Sequence, residues 1–350
     1  MPQMIENPYL GLGMPGMPHL RPRADASAVG ALLAHCPRHA QTPLSTHPGL
    51  AALCGVETVH IKDERGRMGL GSFKALGAAF AIAHAAGAAR GDGPWDRALQ
   101  GRTYIAASAG NHGLSVAAGA ALFGARAVIY LSETVPETFA RRLRAKGAEV
   151  VRQGATYEDS MDAAARDAAT RGWTLLSDST WDGYTDLPMR VMEGYLQLAD
   201  EAARQIPAPP THILLQAGVG GMAAAVAAHA RASWGDAPAI IVVEPDAAPA
   251  LFDSIRAGAL VTAEGPVSAM GRLDCKTPSL LALAGLAHDA NRFVTLTEDE
   301  AASGVTRLAD HGLATTPSGG AGLAALIAGL PGIGPDARVL AILSEGSETG

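Results

Sequence analysis

The sequence is poor in aromatic residues, at 5%, and in cysteine, with three in 350 positions. Cys36, Cys54 and Cys275 are odd in number and far apart, which excludes a disulfide framework and a paired CxxC metal pattern and points to a reducing compartment. No run of like charge occurs and the formal net charge is −7, so the chain lacks the basic footprint that a nucleic acid or an anionic membrane requires. No uninterrupted apolar stretch reaches membrane-spanning length. The N-terminal stretch, with its prolines and Glu6, lacks the continuous apolar segment of a secretory signal. The expectation is a soluble, cytoplasmic protein whose partners are small solutes.

What is abundant is hydrophobic side chain, 48% of the chain, enough for substantial interiors in a length that exceeds one compact core. Two lobes are expected. From about residue 58 onward, short β-branched runs alternate with alanine-rich helical stretches. Strands are predicted at Thr58–Lys62, Thr103–Ala107, Ala127–Leu131, Glu149–Arg152, Thr174–Ser177, His212–Gln216, Ile240–Glu244, Phe293–Leu296 and Arg338–Leu343. A helix is signalled from Pro136 to Lys146 by proline at its start and Gly147 past its end. Such βα repetition implies an α/β fold of two open parallel-sheet lobes covered by helices. The Pro207–Pro210 linker sets a smaller α/β domain at residues 100–190 apart from a larger one formed by 46–99 and 191–350. Residues 1–45 are read as an irregular segment that wraps the surface or reaches a neighbouring subunit.

Three small-residue turns sit where strands hand over to helices, the place where open parallel sheets bind ligands. The first, Gly69 to Gly77, carries Lys74 among small, uncharged neighbours; alone, such a lysine reads as a surface residue snorkelling past apolar ones. The second, Ser108-Ala109-Gly110-Asn111-His112-Gly113, offers the free N–H groups of a helix start and the Ser108 hydroxyl to a carboxylate, or is a plain N-cap with a glycine turn. The third, Gly218-Val219-Gly220-Gly221-Met222-Ala223, lets backbone N–H groups point at a phosphate with no Cβ in the way. It also satisfies a relaxed GxGxxA fingerprint, with Glu244 ending the next strand where a ribose-binding acid would stand. An NAD-dependent dehydrogenase is therefore the reading from another class. It explains one turn and leaves two without a role. Gly11 to Gly16 repeats the glycine spacing but follows no strand and is read as coil. The His35–His39 cluster is broken for metal ligation by Pro37.

The strings IKDERGRMGLGSFKALGAAFA, ASAGNHGLSVA, SDSTWDGY, QAGVGGMAAAV, IVVEPD, SGGAGLAAL and LSEG, in this order from about residue 55, resemble pyridoxal-phosphate (PLP) enzymes of the tryptophan-synthase β type, fold type II, and among them the diaminopropionate ammonia-lyase family. The resemblance implies that Lys74 carries PLP as a Schiff base and that Asn111 lies beside the ring hydroxyl. It implies further that Gly218, Val219, Gly220, Gly221 and Met222 cup the phosphate and that Ser344 meets the pyridine nitrogen. Ser108, Ala109, Gly110, Asn111 and His112 would hold the substrate carboxylate, and Asp178 would take part in proton abstraction. The implied activity is α,β-elimination from a small β-substituted amino acid to a 2-oxo acid and ammonia, by a homodimer. A serine, threonine or 3-hydroxyaspartate dehydratase, or a racemase of the same fold, shares the early chemistry. Ala109 stands where the lyase family often has an aspartate, and that form of the turn resembles the dehydratases. The loop from Ala269 to Ser279 departs from the family pattern by bearing Arg272, Asp274 and Lys276.

Overall fold

The computed structural model describes residues 2–17 and 21–347. Its strands are β1 (Gln3–Glu6), β2 (Leu44–Thr46), β3 (Thr58–Asp63), β4 (Thr103–Ala107), β5 (Arg126–Leu131), β6 (Glu149–Arg152), β7 (Thr174–Leu175), β8 (His212–Gln216), β9 (Ala239–Pro245), β10 (Arg292–Leu296) and β11 (Arg338–Leu343). They form a seven-stranded sheet in the order β1-β10-β9-β8-β11-β3-β2 and a four-stranded sheet in the order β6-β5-β4-β7. Pairing is parallel throughout except at the edges of the larger sheet, where β1 runs against β10 and β2 against β3. Interior strands such as Ile213–Leu215 and Ile240–Val243 are continuous buried apolar runs, as a sheet covered on both faces requires.

The alanine-rich helices are packing devices. Those at Gly221–Trp234 and Pro317–Ala328 bury most of their surface, and short side chains let them lie close to strand and helix alike. Close approach is most demanding where the helix Lys74–Ala89 meets the helix Asp186–Gly194: a Cβ on Gly194 would come within 2.5 Å of the Leu76 carbonyl oxygen. The helix expected from Pro136 spans Glu137–Ala145, with Pro136 as its N-cap.

Three elements of the N-terminal segment were not legible. Residues 1–45, expected to be irregular, contain β1, the helix Ser27–Leu33 and most of β2. β1 is short and reads QMIE, without alternation or β-branching beyond one residue, so no local signal marks it. It is fixed instead by the open edge of β10 and by Asn7, whose side-chain amide donates to the carbonyls of Ala287 at 2.8 Å and Ala290 at 2.7 Å. Gly11, Gly13 and Gly16 all take positive φ in turns, in keeping with coil.

Candidate active site

The register of β11 on β3 sets Leu343 opposite Asp63, so the segments leaving both strands emerge side by side. They stay in contact. Glu64 N–H donates to the Leu343 carbonyl at 2.9 Å, Phe73 N–H to the Ser344 carbonyl at 3.0 Å, and Gly346 N–H to the Gly71 carbonyl at 3.0 Å. Ser344 is thereby placed against the residue that precedes Lys74, and Lys74 opens its helix toward the cleft between the sheets.

Beneath this segment lies a fully buried charge network. Arg67 pairs with Glu64 and Glu201 at 2.7 Å each, and Lys62 pairs with Glu201 at 2.7 Å and donates to the Thr42 carbonyl at 2.6 Å. Burial alone would raise the Glu201 pKa, but Arg67 and Lys62 outweigh it and hold the carboxyl down at about 2. Four charges out of water are stable only when so matched. The network ties β3, the 40–42 segment and the helix Leu196–Gln205 into one support.

Across the cleft, Lys74 Nζ donates to Asp178 Oδ2, with the two side chains 23% and 16% exposed. Burial acts against the charge on both, yet each partner outweighs it. The Asp178 carboxylate holds the Lys74 ammonium above the usual lysine range, and Lys74, with His112 adding to it, holds Asp178 well below the usual carboxylate range. Asp178 is held by its own loop. Tyr184 Oη donates to the Leu175 carbonyl at 2.7 Å and accepts the Ser177 N–H at 3.1 Å, and the Trp181 and Tyr184 rings stack at 4.4 Å. Thr180 reaches the other lobe, sharing a hydrogen bond with Ser279 Oγ at 2.7 Å, while Ser279 N–H donates to the Val219 carbonyl at 3.0 Å. One chain of hydrogen bonds thus links the Asp178 loop to the glycine turn.

Two glycines of that turn, from Gly218 to Met222, are required by their surroundings. Gly220 lies at φ +93°, and a Cβ on Gly218 would approach Cys275 Sγ to 3.0 Å and the Arg272 carbonyl to 3.1 Å. The helix it opens, Gly221–Trp234, has no side-chain cap and no acid in its first turn, and the same holds for Asn111–Leu122. Two uncapped, uncharged helix starts facing a lysine suit two anionic groups. In the second of them, Ser108 Oγ accepts the Gly110 N–H at 3.3 Å and His112 Nε2 bonds the Leu176 carbonyl at 2.8 Å, beside the Asp178 loop.

Sequence reasoning passed over several neighbours. Tyr195 packs edge-on to Phe73 at 5.0 Å, and its buried hydroxyl has no hydrogen-bond partner. Cys275 adjoins Gly218, and burial pushes its thiol up to about 11. Glu345 accepts from the Asn111 amide and from Arg272. Their common signal is placement next to quoted motifs, which only contacts across the cleft make specific. The dinucleotide reading loses its acid: Glu244 is fully buried and accepts the N–H groups of Leu251 at 2.8 Å and Phe252 at 2.7 Å, capping a helix.

A half-buried lysine, an orphaned hydroxyl beside it, and two anion-ready helix starts fit pyridoxal phosphate. The comparisons agree. The family described as pyridoxal-phosphate dependent enzyme matches residues 36–345. The diaminopropionate ammonia-lyase of Escherichia coli K12 is 33% identical over 305 residues, 82% of this chain and 77% of that protein. The Salmonella typhimurium enzyme of the same name is 35% identical over 235 residues, 62% of this chain and 58% of that protein. The E. coli enzyme's crystal structure, in complex with an aminoacrylate-PLP azomethine reaction intermediate, superposes with a TM-score of 0.87 at 29% identity, covering 99% of this chain and 94% of that one.

Proposed function

This chain belongs to the pyridoxal-phosphate dependent enzymes of fold type II, and we infer from that membership that it is an ammonia-lyase acting on a small β-substituted amino acid of the 2,3-diaminopropionate kind. The observation that carries the reading is the Lys74–Asp178 pair, set between the uncapped turn at Gly218–Met222 and the uncapped turn at Ser108–His112.

In this reading Lys74 is the attachment point of the cofactor, Gly218, Val219, Gly220, Gly221 and Met222 receive its phosphate, and Asn111 and Ser344 address its ring oxygen and nitrogen. A serine hydroxyl cannot stabilise a pyridinium as a carboxylate would, so the ring nitrogen stays largely unprotonated. Ser108, with the backbone of Ala109, Gly110, Asn111 and His112, seats the substrate carboxylate and so fixes the direction of the Cα–H bond. When bound, pyridoxal phosphate supplies a conjugated ring that takes up the negative charge left when the Cα proton departs. Asp178 Oδ2 and Lys74 Nζ share one proton across a single hydrogen bond. While Lys74 is a free ammonium that proton stays on it; once Lys74 has served as the attachment point and is released as a neutral amine, that amine or the Asp178 carboxylate would take the Cα proton. The same amine, once protonated, can return that proton to a leaving group on Cβ.

The division into a smaller domain at 100–190 and a larger one around it is supported by the four-stranded sheet, whose strands all fall between Thr103 and Leu175. A cytoplasmic homodimer accompanies this reading. Its reducing compartment is supported by free cysteines throughout, and its dimeric state follows the family resemblance. Among the described residues, no helix is long and apolar enough to cross a membrane.

The test supplies purified protein with pyridoxal phosphate and assays ammonia and 2-oxo acid from 2,3-diaminopropionate, serine, threonine and 3-hydroxyaspartate separately. The expected result is a visible band from bound cofactor and the highest kcat/KM for 2,3-diaminopropionate. Preference for a hydroxy amino acid would move the protein to the dehydratases. Uptake of a nicotinamide cofactor in place of pyridoxal phosphate would overturn the reading.

A further inference from the structure

Glu345 is 4% exposed, and its carboxylate is the meeting point of three separate segments. It accepts from Asn111 Nδ2 at the start of the helix after β4, from Thr316 Oγ1 at the N-cap of the helix Pro317–Ala328, and from Arg272 Nε at 2.9 Å to one oxygen and 2.8 Å to the other. Arg272 is tied down in turn. Its N–H donates to Ser318 Oγ at 3.1 Å, and its Nη1 lies 3.2 Å from where a Cβ on Gly110 would stand. Its carbonyl oxygen is 3.1 Å from the corresponding point on Gly218. One residue of the 268–276 loop therefore touches both the turn that seats a carboxylate and the turn that seats a phosphate.

A carboxylate offers only acceptors, so it fixes which way the Asn111 amide faces: Nδ2 turns toward Glu345 and one N–H remains to be directed into the cleft. A carboxylate this deeply buried needs a cation beside it, and Arg272 supplies it. We propose that Arg272 and Glu345 form a clasp across the cleft that orients Asn111, making both of them positioning residues for the cofactor's ring oxygen. The role rests on the pyridoxal-phosphate reading above, and neither residue is needed to touch the reacting atoms.

The experiment is a mutant cycle on apoproteins titrated with pyridoxal phosphate, with tryptophan fluorescence reading affinity, the visible band reading the ring oxygen's surroundings, and circular dichroism reading the fold. The variants are Asn111→Ala, Arg272→Gln, their combination, and the pair Glu345→Gln with Arg272→Gln. The pair removes both charges and carries the comparison with Asn111→Ala if Arg272→Gln alone does not fold. Arg272→Gln and Asn111→Ala should each weaken binding about tenfold and shift the band in the same direction. The combination should be no worse than Asn111→Ala alone, because both act through one amide. Losses that simply multiply, or a lowered melting temperature with an unchanged band, would overturn the clasp. If the wild type binds pyridoxal phosphate and releases ammonia while the variants match it, only the clasp fails. If the wild type binds no pyridoxal phosphate, the enzyme reading fails and the clasp with it.

Discussion

Lys74 and Asp178 are separated by more than a hundred positions and joined by one hydrogen bond, and their separate removal should have different effects. Lys74→Ala should abolish both the visible absorbance of the bound cofactor and all turnover, with circular dichroism unchanged. Retained turnover would exclude Lys74 as the attachment point. Asp178→Asn keeps a hydrogen-bonding group of the same size but cannot carry the shared proton. Exchange of the substrate Cα proton, followed in deuterium oxide, should slow by about 10²–10⁴-fold, the usual worth of a positioned acid-base group. Cofactor affinity should change far less. If affinity falls and exchange does not, Asp178 is a cofactor contact only.

At the scale of elements, three buried features support the site from outside it. Glu244 caps the helix Ala250–Ala257 from full burial, and burial pushes its pKa from 4.5 up to about 8. A carboxyl raised in the folded state binds its proton better when folded. Its contribution is therefore full below the ordinary glutamate range and lost as pH rises through about 8. Glu244→Gln should flatten the decline of melting temperature across that interval; an unaltered slope would show that the carboxylate stays ionised. Glu201 runs the opposite way. Held down at about 2 by Arg67 and Lys62, it stabilises the fold above the ordinary glutamate range and loses that contribution as pH falls toward 2. Glu201→Gln leaves two buried cations short of charge and should cost about 3–5 kcal/mol in urea denaturation. Gly194→Ala presses a methyl on the Leu76 carbonyl, two residues past Lys74. It should cost about 1–3 kcal/mol, with a loss of cofactor affinity.

For the whole molecule, a cofactor gripped by turns from both sheets should bind the folded state alone. Saturating pyridoxal phosphate at about a hundred times its dissociation constant should add about 2.7 kcal/mol, read as a rise in melting temperature that disappears in Lys74→Ala. The parallel α/β architecture and most strands of the two sheets were legible in the sequence, because buried parallel strands are apolar runs and helix starts carry their glycines and prolines locally. His212–Gln216 and Arg338–Leu343 fall where their composition puts them. Asn111, the Gly218–Met222 turn and Ser344 could be singled out because each follows closely on a strand, whereas Lys74, well past β3 at the start of its helix, was marked by its motif. β1 could not, since an edge strand of four residues is created by the edge it completes. Nor could the burial of Lys62, Glu64 and Arg67, which read locally as a solvated charged stretch and become a core only because Glu201 arrives from a helix more than a hundred residues later. The sequence by itself determined which residues are chemically able to hold an anion, a ring or a proton. Only the tertiary structure decided that Glu244 serves a helix and that Glu345 and Arg272 serve Asn111. A charge takes its role from the partner that balances it, and those partners are distant in the chain.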